Sequence, residues 1–328
     1  MLAEMSSSGY APFSRGRFGV GSASLEAVDG SRGRTFPVEI WIPAEAPGPL
    51  PLVIFSHHSG GGRLGATYLC MHLASHGYVV AAMDHSEVVA PEFGSRAGES
   101  AAERAARIDA VISARVPDVR FLLDYLLDGR ASRELAGREL DAGRIGLAGH
   151  SFGGWTALAV PEQEERVAAV VALAPGGSSR PVPGVLPLTL TFDWRRPAPV
   201  LILTGDCDVP VPLDGVQEVF GRAPSPKRMF VLRRADHEHF ADDVEATHEA
   251  LRAMTLPGEA AWMTAAMLPA SALVSGETAH TFTCGLVVAH LDSALRADPA
   301  AGEFLSTGAE PALAALGVDG YACRPAAS

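Results

Sequence analysis

The sequence of 328 residues predicts an α/β fold, a mostly parallel, doubly wound sheet with an antiparallel N-terminal hairpin. Continuous apolar runs such as PLVIFS (51–56) and PVLILTGD (199–206) are typical of strands buried on both faces of a parallel sheet. Segments with apolar residues at steps of three and four lie between such runs and indicate helices. This alternation predicts helices on both sides of the sheet. We expect one domain, because no break in composition divides the chain.

The elements follow in a regular order along the chain. Residues 19–42 alternate apolar and polar side chains in two runs around DGSRGR, which predicts the antiparallel hairpin. The expected order thereafter is strand PLVIFSHH, a helix ended by Gly77, strand YVVAAMDH, a helix to about 130, strand RIGLAGH, a helix from 152, strands VAAVVALAP and PVLILTGD, a helix from about 213, strand KRMFVLRRADH and a helix from 240.

The two ends of the chain and one short connection complete the prediction. Residues 1–18 are expected to be flexible, and residues 258–328 to form Ala-rich helices packed on the same domain. About twenty residues rich in Gly, Pro and Ser join VALAP to PVLILTG, which is too few for a substantial helical lid. We therefore expect a minimal lid and an open site.

Charge and composition exclude several classes of partner. The net charge of −12 is spread along the chain without a basic run, which argues against nucleic acid and anionic membrane surfaces as partners. The N-terminus has no basic head followed by an apolar run, and no stretch of about 18 apolar residues occurs. We expect a soluble, cytoplasmic protein without an integral membrane segment. The sequence does not indicate an oligomeric state.

The four cysteines lie at unrelated spacings, without a C-x-x-C pair. Buried free thiols are the simplest interpretation of this pattern. A single bridge between Cys284 and Cys323 remains open and would point to export.

The segment GHSFGG (149–154) carries the main chemical signal. The pattern G-x-S-x-G alone decides little in a chain with 34 glycines. Here, however, Ser151 directly follows a predicted strand and precedes a predicted helix, and Gly149, Gly153 and Gly154 permit a sharp turn. This strand, turn and helix context predicts that Ser151 is a nucleophile.

A serine nucleophile needs a base and an orienting acid, which should follow in the order Ser, Asp or Glu, His. LILTGDCDVPVP offers Asp206 and Asp208 after a strand, and the register G-x-x-D-x-x-V-P favours Asp208. RRADHEHFADD offers His237 and His239, of which His237 comes first after the strand. We predict the triad Ser151, Asp208 and His237, with Asp206 and His239 as alternatives.

The segment RRADHEHFADD is also open to a different interpretation. His237, His239, Asp242 and Asp243 are all types of metal ligand, but they do not match the zinc-hydrolase pattern H-x-H-x-D-H. We expect neither a metal nor another cofactor.

Ester cleavage also requires an oxyanion hole. The backbone N–H of Phe152, at the start of the helix after Ser151, is one predicted donor. The second should come from the loop HHSGGG, where Ser59 N–H is the candidate.

Together these residues resemble the α/β-hydrolase branch of the plasma-type platelet-activating factor acetylhydrolases and the dienelactone-hydrolase-like and polyester-hydrolase bacterial relatives. The resemblance spans about residues 36–316 and rests on VIFSHHSGGGRLGATYLCMHLASHGYVVAAMDHSE, GHSFGG and DHEHFADD. It implies an α/β-hydrolase fold and metal-independent hydrolysis of esters with short or accessible acyl groups. One departure is His58, which stands where the F-S-H-G loop of this branch has Gly.

We therefore expect a serine esterase, a carboxylesterase or acetylhydrolase of lipid degradation, that acts on a small-molecule ester. Its base, with an ordinary pKa, would make activity rise through about pH 6 to 7.5. Loops 86–100 and 176–196 should shape the pocket, with His58, Trp155 and Trp194 as candidate substrate-binding residues. Packing of the nucleophile helix remains open for Trp155, and a partly exposed loop position for Trp194. A thioesterase, an acyltransferase and a non-catalytic ligand-binding protein remain as alternative functions.

Overall fold

The computed structural model describes residues 9–323 and contains one nine-stranded sheet. The strands are β1 (Val20–Asp29), β2 (Arg34–Pro43), β3 (Leu50–Ser56), β4 (Val79–Met83), β5 (Leu140–His150), β6 (Val167–Leu173), β7 (Val200–Gly205), β8 (Lys227–Leu232) and β9 (Gly320–Cys323). Their order across the sheet is β1-β2-β4-β3-β5-β6-β7-β8-β9. The six strands from β4 to β8 in this order run parallel. The hairpin at one edge and β9 at the other edge are antiparallel to their neighbours. The predicted α/β sheet with its N-terminal hairpin is confirmed.

Helices cover both faces of this sheet. They are α1 (Thr67–Ser75), α2 (Ser86–Val89), α3 (Ala101–Leu127), α4 (Phe152–Ala159), α5 (Leu213–Arg222), α6 (Val244–Arg252), α7 (Met263–Ala266), α8 (Gly276–Leu295), α9 (Pro299–Glu303) and α10 (Ala309–Ala315). One apolar cluster joins the sheet to α3, α4 and α5, and the other joins it to α1 and α8. Within β3, Leu52 and Ile54 enter the first cluster, whereas Val53 and Phe55 enter the second. Because both faces of β3 are buried, its sequence is a continuous apolar run.

Two elements differ from the prediction. The helix expected from 240 begins at Val244, because residues 237–240 form a separate 3₁₀ turn. The side chain of Asp236 caps this turn by accepting a hydrogen bond from Glu238 N–H at 3.2 Å. The C-terminal region also contains β9, which the sequence analysis assigned to helix. This strand has four half-buried residues and therefore lacks a readable alternation of apolar and polar side chains.

The segment expected to be flexible is packed along its described part, residues 9–18. The hydroxyl of Tyr10 donates to Asp292 at 2.8 Å, and the backbone N–H of Gly16 donates to Ser75 Oγ at 2.9 Å. The ring of Phe13 lies against Gly285 of α8, where a side-chain carbon would come within 2.1 Å of the ring. Residues 1–8 lie outside the described residues.

The connection between β6 and β7, residues 174–199, forms neither helix nor strand, in agreement with a minimal lid. All four cysteines are free thiols, so the possible bridge between Cys284 and Cys323 is not formed. Within residues 9–323, none of the helices is both long enough and apolar enough to cross a lipid bilayer.

The packing of the N-terminal segment can be tested with Phe13→Ala. The half-buried ring is lost from its contacts with Gly285 and Phe304, so we expect the free energy of unfolding to fall by about 2 kcal/mol. The exposed β1 side chain of Val28 provides the control, and Val28→Ala should change the value by less than about 0.5 kcal/mol. Denaturant unfolding measures both. Equal effects of the two substitutions would contradict the packing of this segment.

Candidate active site

Ser151 occupies a strained turn between β5 and α4. Its backbone has φ 58° and ψ −114°, and its N–H donates to the carbonyl of Leu173 at 2.8 Å. The neighbouring glycines let the backbones meet: a side-chain carbon on Gly149 would lie 2.2 Å from the carbonyl oxygen of Gly153. One on Gly153 would lie 1.9 Å from the carbonyl oxygen of Ser56. The turn leaves Ser151 partly exposed at the carboxyl edge of the sheet, whereas the helix that follows is buried.

A buried acid and a histidine lie on the loops after β7 and β8, at the same edge of the sheet. Nδ1 of His237, after β8, is 2.8 Å from Oδ2 of Asp208, after β7. The other oxygen of Asp208 accepts a hydrogen bond from Val211 N–H at 2.7 Å. The carboxylate is fully buried, and the imidazole is 11% exposed. The ring of His150, the residue before Ser151, lies 4.7 Å from the ring of His237, which places the histidine beside the serine turn.

The loop after β3 forms another wall of this region. Ser59 is exposed, and the carbonyl of the preceding His58 accepts hydrogen bonds from Gly61 N–H at 3.1 Å and His57 Nδ1 at 2.7 Å. His58 stands where a glycine was expected in this loop. Its ring lies over Gly61. A side-chain carbon on Gly61 would lie 2.7 Å from that ring. The His58 ring therefore occupies the space that a side chain at position 61 would enter.

This architecture matches a solved structure of a known enzyme. A ferulic acid esterase from Streptomyces cinnamoneus superimposes with a TM-score of 0.61 and 25% identity, over 86% of this chain and 92% of the esterase chain. The protein has the α/β-hydrolase fold. A family model described as platelet-activating factor acetylhydrolase, isoform II, matches residues 27–107 of this chain.

Three curated relatives agree with this similarity. Platelet-activating factor acetylhydrolases of Canis lupus familiaris and Cavia porcellus are 24% and 23% identical over 58% and 63% of this chain. Cutinase est1 of Thermobifida alba is 27% identical over 56% of it. These matches cover 48%, 53% and 51% of the relatives, so the chain spans about half the length of the curated relatives it matches. The predicted resemblance to an acetylhydrolase-like esterase branch of the α/β-hydrolases is confirmed.

The alternative acid and base have other partners. Asp206 accepts a hydrogen bond from Arg234 N–H at 2.6 Å and so ties the loop after β7 to the loop after β8. Nδ1 of His239 lies 2.8 Å from Asp236, and its Nε2 lies 3.0 Å from the carbonyl oxygen of Val274. The carboxylate that contacts His237 is therefore that of Asp208, the acid favoured by the sequence register.

The acidic residues after His239 also have structural contacts. The carboxylate of Asp242 accepts the N–H groups of Thr67 and Tyr68, at 2.7 and 3.1 Å, at the start of α1. Asp243 precedes α6 with a left-handed backbone, φ 50°. The four residues considered as metal ligands in the sequence thus contact different partners.

The two candidate tryptophans join α4 to the connection between β6 and β7. Trp155 is 6% exposed, stacks on Phe152 with the ring centroids 5.5 Å apart, and donates its indole N–H to the carbonyl of Thr189 at 2.7 Å. Trp194 is half-buried and donates its indole N–H to the carbonyl of Leu158 at 3.2 Å. Both side chains fasten the connection between β6 and β7 to α4.

A second Ser-His-Asp set lies beneath the loop after β3. Ser56 Oγ is 2.8 Å from Nε2 of His85, and Nδ1 of His85 is 3.4 Å from Asp118. All three residues are at most 2% exposed. The guanidinium of Arg115 lies beside them and donates to Ser56 Oγ at 3.1 Å.

The sequence analysis missed this buried set, although a signal was present. Arg115 and Asp118 occupy the same helical face of α3 as the buried Val111 and Leu122, at steps of four, three and four residues. Charged residues in phase with core residues indicate a buried polar cluster.

Burial and nearby carboxylates act on the pKa of His237 in opposite directions. Burial alone would lower it, but the charge of Asp208 and the hydrogen bond to that carboxylate outweigh burial and raise the pKa to about 9. The pKa of His58, in contrast, is lowered to about 4, first by burial and then by the nearby His237 and Arg115. His58 is therefore neutral at the pH values at which His237 titrates.

The strain at Ser151 predicts an unusual effect on stability. Glycine adopts positive φ freely, whereas a non-glycine residue in such a region costs about 1–3 kcal/mol. We expect Ser151→Gly to be more stable than Ser151→Ala by about 1 kcal/mol, as measured by denaturant unfolding. The control is Ser22, an exposed strand residue, where the glycine variant should be the less stable of the two. The same order at both positions would contradict strain at the turn.

Proposed function

We propose that the protein is a serine hydrolase that cleaves carboxylic esters with short or accessible acyl groups. The observation that supports it best is the His237–Asp208 pair beside the strained turn of Ser151. The relatives are named acetylhydrolase, cutinase and ferulic acid esterase, and all of these are carboxylic ester hydrolases. An enzyme of the same class is the simplest function for a chain with this fold and these side chains.

The first half of the reaction forms an acyl-enzyme. Ser151 Oγ attacks the carbonyl carbon of the ester while Nε2 of His237 accepts the serine proton. The Oγ–C bond forms and the carbonyl oxygen becomes the oxyanion of a tetrahedral intermediate. When that intermediate collapses, the bond to the leaving alkoxide breaks, and the imidazolium of His237 gives the alkoxide its proton. Asp208 holds the imidazole with Nδ1 protonated, so that Nε2 is free to act as the base.

Water then releases the acyl group by the same route. His237 takes a proton from water, and the hydroxide adds to the acyl carbon. The Oγ–C bond breaks, the carboxylic acid leaves and the proton returns to Ser151. No cofactor enters either half of the reaction.

The oxyanion is stabilised by two backbone groups. Phe152 begins α4, and the N–H groups of the first helical turn have no acceptor within the helix. Ser59 N–H lies in the exposed loop after β3 and supplies the second hydrogen bond. Donors fixed before the reaction stabilise the charge as it develops.

The substrate would occupy a groove beside these residues. A groove lies between the loop after β6 and the loop after β7, with Gly176, Arg180 and Val211 in its walls. Gly176 N–H is 3.5 Å from the carbonyl oxygen of Ser151, and Val211 N–H binds Asp208, so both loops also touch the triad. We place a short acyl group in this groove, with the alcohol side of the ester extending outward.

Of the candidate substrate-binding residues, one would face the substrate and two would support the wall of the groove. His58 faces the site as a neutral ring, whereas Trp155 and Trp194 act from behind by fixing the connection that walls the groove. A thioesterase or an acyltransferase would use the same triad and would differ in the leaving group or the acceptor.

Accessibility favours Ser151 over Ser56 as the nucleophile. Ser56 is 2% exposed, and its hydroxyl oxygen already accepts a hydrogen bond from the Arg115 guanidinium. An ester cannot reach this oxygen without displacing α4, whose backbone packs against Ser56 at Gly153. Ser56, His85 and Asp118 contact one another in the order expected of a triad. The space around Ser56 has no room for a substrate.

A covalent label separates the two serines. A fluorophosphonate displaces its fluoride when a serine Oγ bonds to phosphorus, and the serine proton leaves through the base. We expect one adduct, located by mass spectrometry in the tryptic peptide 145–166, which contains Ser151, rather than in 35–63, which contains Ser56. Ser151→Ala should abolish the adduct and lower kcat on p-nitrophenyl acetate and butyrate by about 1,000-fold or more.

The chain-length profile from acetate to palmitate tests the acyl preference in the same assay. Highest kcat/KM on short esters supports the proposed substrate class. An adduct at Ser56, or equal activity of Ser151→Ala and wild type, would overturn the assignment of the nucleophile.

The pH profile tests the acid. With a pKa of about 9 for His237, kcat/KM should rise with pH into the alkaline range, because the neutral imidazole is the base. This lies above the rise through pH 6 to 7.5 expected from an ordinary histidine. In Asp208→Asn, the charge that raises the pKa of His237 is lost while burial remains. The rise of kcat/KM should therefore move to lower pH, and kcat should fall by about 10⁴-fold.

Asp206→Asn is the matched control for this experiment. Asparagine keeps an oxygen that can accept the N–H of Arg234, so the pH profile should stay that of the wild type. A shifted profile in Asp206→Asn, with an unchanged one in Asp208→Asn, would reverse the choice of acid.

A further inference from the structure

Arg115 is a buried cation whose contacts are directed at the loop after β3. Its side chain is 0% exposed and pairs with the carboxylate of Glu87. Its Nη1 donates to the carbonyl of His57 at 2.8 Å, and its Nη2 donates to that of His58 at 3.5 Å. Burying a charge is costly unless partners compensate it, so packing alone does not explain an arginine on the apolar face of α3.

The contact with His58 fixes the direction of the next N–H group. A trans peptide is planar, and its C=O and N–H bonds point in opposite directions. The His58 carbonyl and the Ser59 N–H belong to the same peptide. Three donors hold this carbonyl: Arg115, Gly61 N–H at 3.1 Å and His57 Nδ1 at 2.7 Å. The Ser59 N–H must therefore point away from Arg115.

His57 is itself held in the tautomer that this arrangement needs. Its Nε2 accepts a hydrogen bond from His85 N–H at 3.2 Å, so the ring proton is on Nδ1 and is donated to the His58 carbonyl. The same Arg115 also bonds the carbonyl of His57. Two successive peptides of the loop thus depend on one guanidinium.

Arg115 also contacts the residue that carries the other proposed oxyanion donor. Its guanidinium carbon lies 4.0 Å from the centroid of the Phe152 ring, in stacking geometry. Phe152 is the first residue of α4, and its position depends on the close packing of Gly153 against Ser56. One side chain therefore touches both halves of the proposed oxyanion hole from behind.

We propose that Arg115 is a positioning residue that sets the distance and direction of the two oxyanion donors, Ser59 N–H and Phe152 N–H. This inference rests on the proposed esterase function. The buried set beneath the loop then supports Arg115: Ser56 Oγ accepts from Arg115 and donates to Nε2 of His85, whose Nδ1 faces Asp118. The set that resembles a second triad holds the oxyanion loop instead of attacking a substrate.

The negative charge on the carbonyl oxygen develops only as the tetrahedral intermediate forms, and this determines the kinetic effect that we expect. The two N–H groups act mainly on the tetrahedral intermediate, so their misplacement raises the barrier without weakening binding of the ester. Lysine keeps the charge but lacks the planar fork that reaches two carbonyls and stacks on a ring. Methionine keeps the apolar stem without the charge.

The test compares Arg115→Lys and Arg115→Met with wild type on p-nitrophenyl butyrate. We expect kcat to fall by about 100-fold in both variants, because displaced donors lose much of their effect. KM should stay within about threefold of wild type. Circular dichroism and thermal unfolding establish that the variants are folded.

An inhibitor that mimics the tetrahedral intermediate provides a measurement that a purely structural role of Arg115 would leave unchanged. An alkyl trifluoromethyl ketone accepts Ser151 Oγ at its carbonyl carbon, the serine proton passes to His237, and the carbonyl oxygen becomes an oxyanion. Its inhibition constant should rise in the Arg115 variants by the same factor as kcat/KM falls. Inhibition by the corresponding methyl ketone, which remains largely trigonal, should change little.

Arg296 offers a matched control at the other end of the sheet. Its guanidinium also stacks on a ring, 4.0 Å from the centroid of Tyr78, bonds the carbonyl of His76 at 2.9 Å and pairs with Asp292 at 2.6 Å. Tyr78 precedes β4, at the amino end of the parallel strands. Arg296→Lys should reduce stability and leave kcat and the inhibition constant unchanged.

Each outcome decides the inference. Folded Arg115 variants with wild-type kcat and inhibition constants overturn it, while labelling of Ser151 in wild type keeps the proposed function intact. A wild type that neither labels nor cleaves esters overturns both. If the Arg115 variants do not fold, Phe152→Leu removes the stacked ring and keeps the backbone N–H. A fall in its kcat of about tenfold at constant KM supports the inference, and an unchanged kcat overturns it.

Discussion

The candidate site depends on one close backbone contact, between the start of α4 and the end of β3. The carbonyl oxygen of Ser56 occupies the space that a side chain on Gly153 would need. This contact brings the N–H of Phe152 beside the loop that carries Ser59. It also forces the chain through the strained conformation of Ser151, because β5 must end and α4 must begin within one residue. The position of the proposed nucleophile and that of the proposed oxyanion donors are therefore set together.

Charged groups beneath the carboxyl edge keep this arrangement in place. Asp208 orients His237, and Arg115 holds the loop after β3. On the loop after β8, the carboxylate of Asp236 lies 2.8 Å from Nδ1 of His239 and 2.6 Å from Nδ1 of His248. Each of these groups is buried and paired, and each bonds to a different loop. Removing one partner of such a pair is costly because it leaves a buried charge without compensation.

Much of the fold was predictable from the sequence because both faces of the central strands are buried. Alternation in residues 19–42 and continuous apolar runs such as 51–56 are direct consequences of burial on one or two faces. The candidates for the triad were also readable, since parallel strands bring their carboxyl ends to one edge.

What could not be predicted depends on contacts between distant residues. The ring of Phe13 packs against Gly285, which is 272 positions away along the chain, and neither residue has a local signal of this contact. The four residues of β9 form a strand because β8 offers a free edge. The 3₁₀ turn at 237–240 arises from the side chains of Asp236 and His239, which compete with helix formation.

The two Ser-His-Asp sets show why residue types alone do not specify a function. Ser56, His85 and Asp118 contact one another in the order expected of a triad, yet the guanidinium of Arg115 and the backbone of α4 cover the hydroxyl. Ser151 stands on a turn that keeps it partly exposed. Buried polar groups must find hydrogen bonds, and the linear chain of Ser56, His85 and Asp118 satisfies that need in the core. In the proposed mechanism the two sets differ in function because they differ in access: the turn keeps Ser151 partly exposed, whereas Ser56 Oγ accepts a hydrogen bond from Arg115 beneath the loop after β3.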